Sequence, residues 1–495
     1  MICIKLSKLL SGVCIIRASE NVFSAEINGI KENSNDVCPG DLFIAWNGTN
    51  HNGFDYIAQA ISKGASAVLY ESRKRNFMCD IPNVCFIQTN NARRAYAIVM
   101  SNYYSSPERY LRLVGVTGTN GKTTVCRMVK HILEYSGIKC GITGTLGNGI
   151  GDEMENSSMT TPSPREFYRL LDEYRRKGAD VVVSEASSHA LKQERLATCV
   201  FDVGVLTNIT VDHMDFHKTM EDYIASKCKL FTQSKVSILN GDDPSSKVIA
   251  KRTRGIKIFY SEKGNADIVL SNIVQRGING TEFNYFGKSG ADVKLNLPGS
   301  FNVKNAACAI AACEQLGVDA VTASKALESL KGVKGRCEVL DLAKFNVGYS
   351  VIIDFAHTPD ALYNILLTCR SFNPNRLICV FGCGGDRDKT KRPEMGRIAS
   401  RTSDLSVITS DNPRTESPDE IISDILKGVD KTGRYTVISN RTEAIHFALD
   451  TARDGDIILL AGKGHEEYEI GKNGKTPYSE KNTVFEYLKG KMTEG

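Results

Sequence analysis

The sequence predicts an α/β protein of three domains. Its 495 residues are enough for about three domains of ordinary size. Short apolar runs alternate with stretches of helical periodicity, a pattern typical of parallel sheets with helices on both faces. A glycine-rich turn between one such run and the following helix is typical of a phosphate-binding loop. We therefore expect a central domain with a parallel sheet and this loop, a C-terminal Rossmann-like open α/β sheet, and a smaller, mixed α/β N-terminal domain.

Composition places the chain among globular proteins. Hydrophobic residues make up 41% of the chain and charged residues 24%, which allows sizeable cores. The net charge of +5 is too small to indicate nucleic acid binding, although it suits small anionic ligands. No apolar run reaches the roughly 18 residues of a membrane span. The 15 cysteines form no Cys-x-x-Cys pair, which fits buried thiols in a reducing compartment. We expect a cytoplasmic protein that is not inserted in a membrane, and we expect it to be a monomer.

The N-terminal domain is predicted to span residues 1–108. Residues 9–16 are apolar like the core of a signal peptide, but no small-residue cleavage site follows, so a short helix and strand is the better interpretation. The Ser-Ser-Pro sequence at 105–107 is typical of a linker. The other elements predicted here are strands at 42–45 and 65–70 and a helix at 57–63.

The phosphate-binding loop opens the central domain. A buried strand at 111–117 runs into Gly118-Thr119-Asn120-Gly121-Lys122-Thr123-Thr124, and a helical stretch follows. Glycines let backbone N–H groups converge on phosphate oxygens, and the helix N-terminus adds partial positive charge. Lys122 is expected to reach the β- and γ-phosphates of a nucleotide, and Thr123 a magnesium ion. The generic pattern has glycine where this chain has Val116.

The central domain is predicted to span residues 109–332. Short alternating runs broken by glycine turns at 265–298 predict a small antiparallel appendage. Helices at 303–317 and 319–331 are expected to close the domain. The parallel strands are predicted at 111–117, 138–143, 180–185, 203–207 and 235–240.

Two side chains near strand ends in this domain are candidate metal ligands. Glu185 and His213 each follow an apolar strand, and ligands bind at the carboxyl edge of such sheets. Magnesium prefers oxygen ligands and rarely binds histidine. A single glutamate or histidine at a strand end is usually an ordinary polar side chain, whereas both together after neighbouring strands favour a metal site. From residue types alone, the helix with Lys227 and Lys229 is interpreted as a solvated face.

The C-terminal domain is predicted to span residues 333–495. Polar loops at 382–388, 410–414 and 461–466 each follow a strand. They supply guanidinium and carboxylate groups together, which suits a zwitterionic ligand; ordinary glycine-containing loops are the alternative. Strands are predicted at 350–355, 377–381, 405–409, 435–439 and 457–460.

Motifs along nearly the whole chain resemble those of the ATP-dependent Mur ligases, in the family's order. The resemblance is weakest in the first hundred residues, and the last two motifs are similar to those of diaminopimelate-adding members. The motifs that carry it are Gly118 to Thr124, Glu185-Ala186-Ser187-Ser188-His189, Thr207-Asn208 with Asp212-His213, Lys227 with Leu230-Phe231, Asn240-Gly241-Asp242-Asp243, Leu297 to Asn302, Asp354 with Ala356 to Asp360, Asp411-Asn412-Pro413-Arg414 and Gly462 to Glu466.

The resemblance implies an ADP-forming ligase of peptidoglycan precursor synthesis. ATP would phosphorylate the D-glutamate carboxylate of UDP-N-acetylmuramoyl-L-Ala-D-Glu, and the amine of meso-2,6-diaminopimelate would attack the acyl phosphate. Mg²⁺ is the implied cofactor and ATP is a substrate. The N-terminal domain would bind the UDP-sugar, the central domain ATP, and the C-terminal domain the amino-acid acceptor.

The resemblance also assigns site residues. The implied catalytic residues are Lys122, Glu185, His213 and Lys227. The implied metal ligands are Thr123, Glu185, His213 and Lys227, the last as carbamylated lysine (N6-carboxylysine), whose oxygens suit magnesium. The implied ATP-binding residues are Gly118, Thr119, Asn120, Gly121, Lys122, Thr123, Thr124, Asn302, Asn305, Arg336, Asp354 and His357. The UDP-sugar peptide would meet Ser34, Thr49, Asn50, Thr160, Thr161, Ser187, Gln193 and Arg195. The acceptor would meet Arg387, Asp411, Asn412, Arg414, Gly462 and Glu466.

The predicted acceptor depends on Arg414. Lysine-adding relatives lack arginine in this loop, and a guanidinium can bind the additional carboxylate of diaminopimelate bidentately. The alternatives are a Mur ligase that uses L-lysine, a folylpolyglutamate synthetase, and a non-ligase phosphate-loop ATPase acting as a switch or motor. Asn35 stands where the family usually has arginine, so the uridine pocket is expected to differ.

Overall fold

The computed structural model describes residues 3–20, 24–48, 52–71, 81–157 and 159–494. The chain forms two compact units, each assembled from separate segments. The first unit contains Met1–Gly115, Ile138–Gly204 and Ser226–Lys235, and the second contains Val116–Gly137, Val205–Ala225 and Val236–Gly495.

Helices and strands occur along the whole described chain, and in several places two or more strands follow one another without an α-helix between them. Up to residue 108 they are β1 (Ile4–Lys5), α1 (Leu6–Leu9), β2 (Ile15–Ala18), β3 (Glu26–Ile27), β4 (Ile30–Lys31), β5 (Leu42–Ala45), α2 (Ile57–Ser62), β6 (Ala67–Glu71), β7 (Cys85–Thr89) and α3 (Ala92–Tyr103). From 109 to 332 they are β8 (Arg112–Thr117), α4 (Lys122–Tyr135), β9 (Cys140–Thr143), β10 (Asn148–Ile150), β11 (Glu153–Glu155), α5 (Pro164–Arg176), β12 (Val181–Glu185), α6 (Ser188–Lys192), β13 (Phe201–Leu206), α7 (Met214–His217), α8 (Met220–Thr232), β14 (Ser234–Asn240), α9 (Ser245–Arg252), β15 (Ile256–Ser261), β16 (Ile268–Gln275), β17 (Thr281–Phe286), β18 (Gly290–Leu295), α10 (Ser300–Glu314) and α11 (Ala320–Ser329).

The remaining elements lie in the C-terminal part of the chain. They are β19 (Glu338–Val339), β20 (Ser350–Asp354), α12 (Pro359–Ser371), β21 (Leu377–Phe381), α13 (Lys391–Thr402), β22 (Leu405–Ile408), α14 (Pro418–Leu426), β23 (Tyr435–Val437), α15 (Arg441–Thr451), β24 (Ile457–Ala461), β25 (Tyr468–Gly471), β26 (Gly474–Pro477) and α16 (Glu480–Glu494). The strands and helices predicted from the sequence agree with these bounds to within three residues, about the uncertainty of any helix or strand end.

The first unit contains a small mixed sheet with the order β2-β7-β6-β5-β4. Strands β4 to β7 pair in parallel, and β2 is antiparallel to β7. Phe43, Val68, Tyr70 and Phe86 pack in its core. The predicted mixed α/β character of this region is confirmed.

The first unit also contains β9 and β12, which pair in parallel. Strand β10 is antiparallel to both β9 and β11. The sequence did not predict this short hairpin at 148–155. Its strands are only three residues long, too short for a clear alternation of apolar and polar residues.

The second unit contains strands in the order β14-β15-β16-β17-β18. Strands β14, β15 and β16 are parallel, whereas β16, β17 and β18 form an antiparallel meander. This meander is the predicted antiparallel appendage, and it continues directly from the parallel strands. Helix α10 is buried along most of its length.

A second sheet in this unit has the order β19-β20-β24-β21-β22-β23 and is parallel except for β19. Alternate residues face two cores: Ile352 and Leu459 pack in one, Val351 and Ile458 in the other. A sheet covered on both faces has strands that are apolar throughout, so the open α/β sheet predicted for this region is confirmed.

Candidate functional site

The phosphate loop has the predicted strand–turn–helix geometry. Strand β8 ends at Thr117, and α4 begins at Lys122. Gly121 has φ +87°, and a Cβ at this position would lie 2.5 Å from Asn305 Oδ1. Asn305, a predicted ATP-binding residue, therefore packs directly against the loop. Lys122 Nζ donates to the carbonyl oxygens of Gly118 at 2.9 Å and Thr119 at 2.8 Å.

The loop that follows β13 holds the phosphate loop in place. Thr119 N donates to Asn208 O at 2.8 Å, and Asn120 N donates to Asn208 Oδ1 at 3.0 Å. Thr119 Oγ1 accepts a bond from Thr210 N at 2.9 Å and lies 3.0 Å from the hydroxyl of Tyr223. Because several backbone groups are fixed, the loop is preorganised before any ligand binds.

His213 lies at the end of this second loop in a left-handed conformation, with φ +56°. Its Nε2 is 3.4 Å from Asp212 Oδ2. Burial acts to raise the pKa of Asp212, but His213 and His357 outweigh it and hold the pKa below its usual value. Asp212 is therefore an anion that orients the His213 ring.

Arg336, Asp354 and His357 lie in the C-terminal part of the same unit, from which Arg336 contacts the start of α4. Arg336 Nη2 donates to Thr123 Oγ1 at 3.2 Å, and its guanidinium lies 4.6 Å from the ring centroid of Phe355. Burial raises the pKa of Asp354 to about 6 despite Arg336, and burial lowers the pKa of His357 to about 4. The structure thus brings these three predicted nucleotide-site residues together.

Asn302 is placed differently from its neighbours in the site. It is buried, its Nδ2 donates to Pro298 O at 2.8 Å, and its Oδ1 accepts a bond from Asn305 Nδ2 at 3.0 Å. Its amide is therefore bonded at both ends within the protein, where it orients Asn305.

His465 is a neutral histidine within the Gly462 to Glu466 motif, and no role was predicted for it from the sequence. Its ring centroid lies 5.0 Å from that of Phe355, and its buried Nδ1 has no hydrogen-bond partner among the described residues. Burial, followed by Arg336 and Lys334, lowers its pKa to about 3.

Replacing His465 with phenylalanine is expected to make stability less sensitive to acid. In the unfolded wild-type chain, His465 binds a proton below pH about 6.5. In the folded chain it stays neutral down to about pH 3, so the free energy of unfolding decreases as the pH falls from about 6.5 to about 3. The change in unfolding free energy between pH 8 and pH 5 should be smaller in His465→Phe by about 2 kcal/mol. Urea unfolding of both proteins at the two pH values measures it; an equal pH dependence in both would contradict the assignment.

The predicted acceptor residues gather at the carboxyl edge of the C-terminal sheet. Asn412 Nδ2 donates to Glu466 Oε2 at 2.7 Å, and Asn412 Oδ1 accepts a bond from the buried Lys463 at 3.0 Å. Burial, and then Asp411, raises the pKa of Glu466. Gly462 has φ +119°, and a Cβ there would lie 2.5 Å from Asp411 Oδ2, so only glycine fits.

Arg414 presents an unsatisfied edge of its guanidinium. The residue is in a left-handed conformation, φ +53°, and its backbone N donates to Ile470 O at 2.9 Å. Nη1 donates to Gly385 O at 2.7 Å and Asn412 O at 3.4 Å. Across the described residues, neither Nε nor Nη2 of Arg414 finds a protein acceptor. Burial, and then the neighbouring Arg387, lowers its pKa, so this edge favours an anionic ligand.

The sequence did not reveal what supports these loops. Arg392 is fully buried and donates from Nη1 to Glu416 Oε2 and Asp424 Oδ2, both at 3.0 Å. Glu416 Oε1 in turn accepts a bond from Asp386 N at 2.6 Å. The hairpin of β25 and β26, also not predicted, provides the carbonyl that fixes Arg414. Residue type alone does not distinguish a buried arginine from an exposed one.

Five of the predicted UDP-sugar residues, all between 160 and 195, come together in the first unit. Thr161 Oγ1 donates to Glu185 O at 2.6 Å and lies 3.1 Å from Ser187 Oγ. Arg195 Nη1 donates to Thr161 O at 2.7 Å, and its Nε to Gln193 Oε1 at 3.1 Å. The remaining member, Thr160, accepts a bond from Thr145 Oγ1 at 3.2 Å.

Glu185 and Lys227 are both buried in the first unit. The carboxylate of Glu185 accepts bonds from Thr145 N at 2.7 Å and Thr145 Oγ1 at 3.2 Å. The interpretation of the Lys227 helix as a solvated face is wrong for this residue, because Lys227 is only 1% exposed. Lys229 is exposed at 38% of its side chain and forms an ion pair with Glu194.

Ser34 lies in the N-terminal region of the first unit. Its buried Oγ donates to Gln59 Oε1 at 2.7 Å, and Gln59 Nε2 donates to Asn35 Oδ1 at 3.0 Å. Helix α2 thus organises the segment in which the chain departs from the family pattern. Thr49 and Asn50 lie outside the described residues.

The predicted metal ligands divide between the two units. Thr123 and His213 belong to the second unit, and Glu185 and Lys227 to the first. In the part of the chain that the structure describes, no group of three or more His, Cys, Asp or Glu residues is arranged to hold a metal ion.

Three family models match successive parts of the chain. Residues 26–104 match the Mur ligase family catalytic domain, 116–313 the Mur ligase middle domain, and 335–464 the Mur ligase glutamate ligase domain. The chain belongs to the Mur ligase family. Its predicted α/β fold and three-domain architecture are thereby confirmed, whereas the boundaries at 108 and 332 stay predictions.

Individual Mur ligases match nearly the full length of the chain. A Clostridium botulinum protein is 41% identical, covering 94% of this chain and 95% of that protein. A Clostridium tetani protein is 42% identical with the same coverage. A solved structure superposes with a TM-score of 0.69 at 30% identity, covering 99% of this chain and all of that one. All three are named UDP-N-acetylmuramoyl-L-alanyl-D-glutamate–2,6-diaminopimelate ligase.

The Mur ligase chain has, among the helices of its described residues, none that is both long and apolar enough to cross a membrane. Most of its described cysteines are buried, and none is in a disulfide.

Proposed function

We propose that this Mur ligase adds meso-2,6-diaminopimelate to the D-glutamate carboxylate of UDP-N-acetylmuramoyl-L-Ala-D-Glu, with release of ADP and phosphate. The reaction belongs to peptidoglycan precursor synthesis in the cytoplasm. All three substrates are small molecules, and we expect the enzyme to act as a monomer.

The Arg414 loop is the observation that carries this proposal. Arg414 offers Nε and Nη2, and Arg387 lies close enough to affect its charge. Glu466 and Asp411 provide negative charge on the same sheet edge. Diaminopimelate carries two carboxylates and two ammonium groups, so it pairs with two guanidinium groups and two carboxylates. L-Lysine has one carboxylate fewer and would leave a guanidinium unpaired, a mismatch that costs up to about 10⁴-fold where a site is built around a polar group.

The reaction proceeds in two steps. First, an oxygen of the D-glutamate carboxylate attacks the γ-phosphorus of ATP; the bond to the β-γ bridging oxygen breaks, and ADP leaves. Lys122 and the phosphate-loop amides stabilise charge on the transferred group. Second, the acceptor amine, in its neutral form, attacks the acyl carbon; the bond from that carbon to the phosphate oxygen breaks, phosphate leaves, and the nitrogen releases a proton to solvent as the amide forms. Arg414, Arg387 and Glu466 orient the acceptor so that its amine faces that carbon.

Magnesium suits the residues assigned to it. Thr123 and Glu185 provide hard oxygen donors, the ligands that Mg²⁺ prefers, and the ion usually keeps substrate phosphate oxygens as well. When bound, it neutralises phosphate charge. Lys227 is buried, where an ammonium is costly; carbon dioxide adds to a neutral amine, and the carbamate formed is an oxygen ligand. We assign His213 to a second ion, with Asp212 orienting its ring.

The other assigned residues bind the substrates. Asn305, Arg336, Asp354 and His357 serve ATP, and Asn302 serves it through Asn305. The UDP-sugar peptide is assigned to Ser34, Thr49, Asn50, Thr160, Thr161, Ser187, Gln193 and Arg195. Gly462 leaves room for the acceptor beside Asp411 and Asn412.

Phosphate release from ATP in the presence of UDP-N-acetylmuramoyl-L-Ala-D-Glu tests the function. We expect release with meso-diaminopimelate, matched mole for mole by a tripeptide product in mass spectrometry, and at most trace release with L-lysine or with no amino acid. Comparable rates with L-lysine would keep the ligase and overturn the acceptor. Equal release without any amino acid would favour a non-ligase ATPase.

A further inference from the structure

Asp360 lies at the start of α12 and contacts two loops of the nucleotide site. Its Oδ2 accepts a hydrogen bond from Asn120 Nδ2 at 3.0 Å and another from Thr210 Oγ1 at 3.3 Å. Asn120 belongs to the phosphate loop, and Thr210 to the loop that follows β13. The reaction as proposed above gives Asp360 no role.

Asn120 binds the loop that follows β13 through its backbone N and O, and it binds Asp360 through its side chain. Asn120 N is bound by Asn208 Oδ1, and Asn120 O accepts bonds from Thr207 Oγ1 at 2.5 Å and Asn208 Nδ2 at 3.2 Å. The side-chain amide is the part that reaches α12. Because the acceptor is a carboxylate, this bond is stronger than one between neutral groups.

Asp360 also lies on a continuous path to the acceptor loops. Lys391 begins α13, just after the loop that carries Arg387, and its Nζ donates to His357 O at 2.8 Å. His357 is three residues before Asp360 in the segment that leads into α12. One short segment, bonded to the start of α13, therefore connects Asp360 to the acceptor loops.

We propose that Asp360 is a positioning residue that holds the phosphate loop in its reactive geometry when the acceptor-binding part of the chain lies against it. The inference rests on the proposed function, because it couples acceptor binding to phosphoryl transfer. Asp360 touches neither substrate nor the reacting atoms; it acts through Asn120 and Thr210.

The simpler explanation is a favourable helix end. Thr358 caps α12, Pro359 occupies its first turn, and a negative charge at that position stabilises any helix. Helix α14 begins with a similar sequence, Ser417-Pro418-Asp419, although the Ser417 side chain makes no capping bond. Asp419, in the first turn of α14, accepts a bond at 3.1 Å from Ser439 Oγ, which lies in the loop between β23 and α15. Asp419→Asn therefore removes a charge at a helix end without touching the phosphate loop.

The test compares Asp360→Asn with Asp419→Asn in the full-length chain. We expect Asp360→Asn to lower kcat for diaminopimelate-dependent phosphate release about 10- to 100-fold, and Asp419→Asn to change it by no more than about twofold. Amide hydrogen exchange should speed up at 117–121 and 207–212 in Asp360→Asn alone. Asp360→Glu, which keeps the carboxylate, should recover part of the lost kcat.

Equal behaviour of the two asparagine variants would overturn the proposal, as would a lower kcat without faster exchange, or faster exchange without a lower kcat. The exchange measurement needs no turnover. If the wild-type enzyme releases no acceptor-dependent phosphate, the proposed function fails, while the exchange comparison still decides whether Asp360 holds the loop.

Discussion

Lys122→Met is expected to lower kcat for acceptor-dependent phosphate release by about 10³-fold. Lys122 is the first residue of α4, and two phosphate-loop carbonyls fix its ammonium at 2.8 and 2.9 Å. A fixed charge costs no reorganisation when negative charge develops on the transferred phosphoryl group. Methionine keeps the length and flexibility of the side chain but carries no charge.

Lys130→Met is the matched control for this effect. Lys130 lies two turns further along α4, where its Nζ pairs with Glu134 Oε1 at 2.5 Å. Its loss should affect stability and leave kcat within about threefold. Single-turnover formation of ADP, with ATP binding measured by calorimetry, separates catalysis from affinity. A Lys122→Met enzyme that keeps more than about a tenth of wild-type kcat would show that the other groups of the site suffice without the Lys122 charge.

The local elements of the nucleotide site could be predicted because their signals lie close together in the chain. Strand β8, the glycines of the phosphate loop and helix α4 follow one another within about two dozen residues. Strands β12 and β13 contain continuous apolar runs at 181–183 and 203–206, so their ends, and therefore Glu185 and Asn208, are predicted at the carboxyl edge of a sheet.

Features that depend on distant packing could not be predicted. Lys227 and Lys229 are two residues apart on one helix, yet only Lys227 is buried, and their residue type and spacing do not distinguish the two. Arg392 looked like any helix arginine, and its carboxylate partners lie 24 and 32 residues further on. The family resemblance marked Lys227 but gave no signal for Arg392.

Arg414→Ala is expected to lower kcat/KM for meso-diaminopimelate by about 10²- to 10⁴-fold, the cost of removing one partner from a buried, charge-assisted pair. The loop itself should survive, because the backbone N of residue 414 still donates to Ile470 O. For L-lysine, which lacks the additional carboxylate, kcat/KM should change by no more than about threefold. The preference for diaminopimelate would then largely disappear.

Arg401→Ala provides the control, because Arg401 is an exposed arginine of the same domain that pairs with Asp430 at 3.0 Å. This variant should keep the wild-type kcat/KM for both diaminopimelate and lysine. Equal losses for diaminopimelate and lysine in Arg414→Ala would contradict the assignment, because Arg414 would then bind the carboxylate that the two acceptors share. Arg387 would then be the residue that binds the additional carboxylate of diaminopimelate, and Arg387→Ala should abolish the preference for diaminopimelate over lysine. Measuring both acceptors on both variants therefore assigns each guanidinium to one carboxylate.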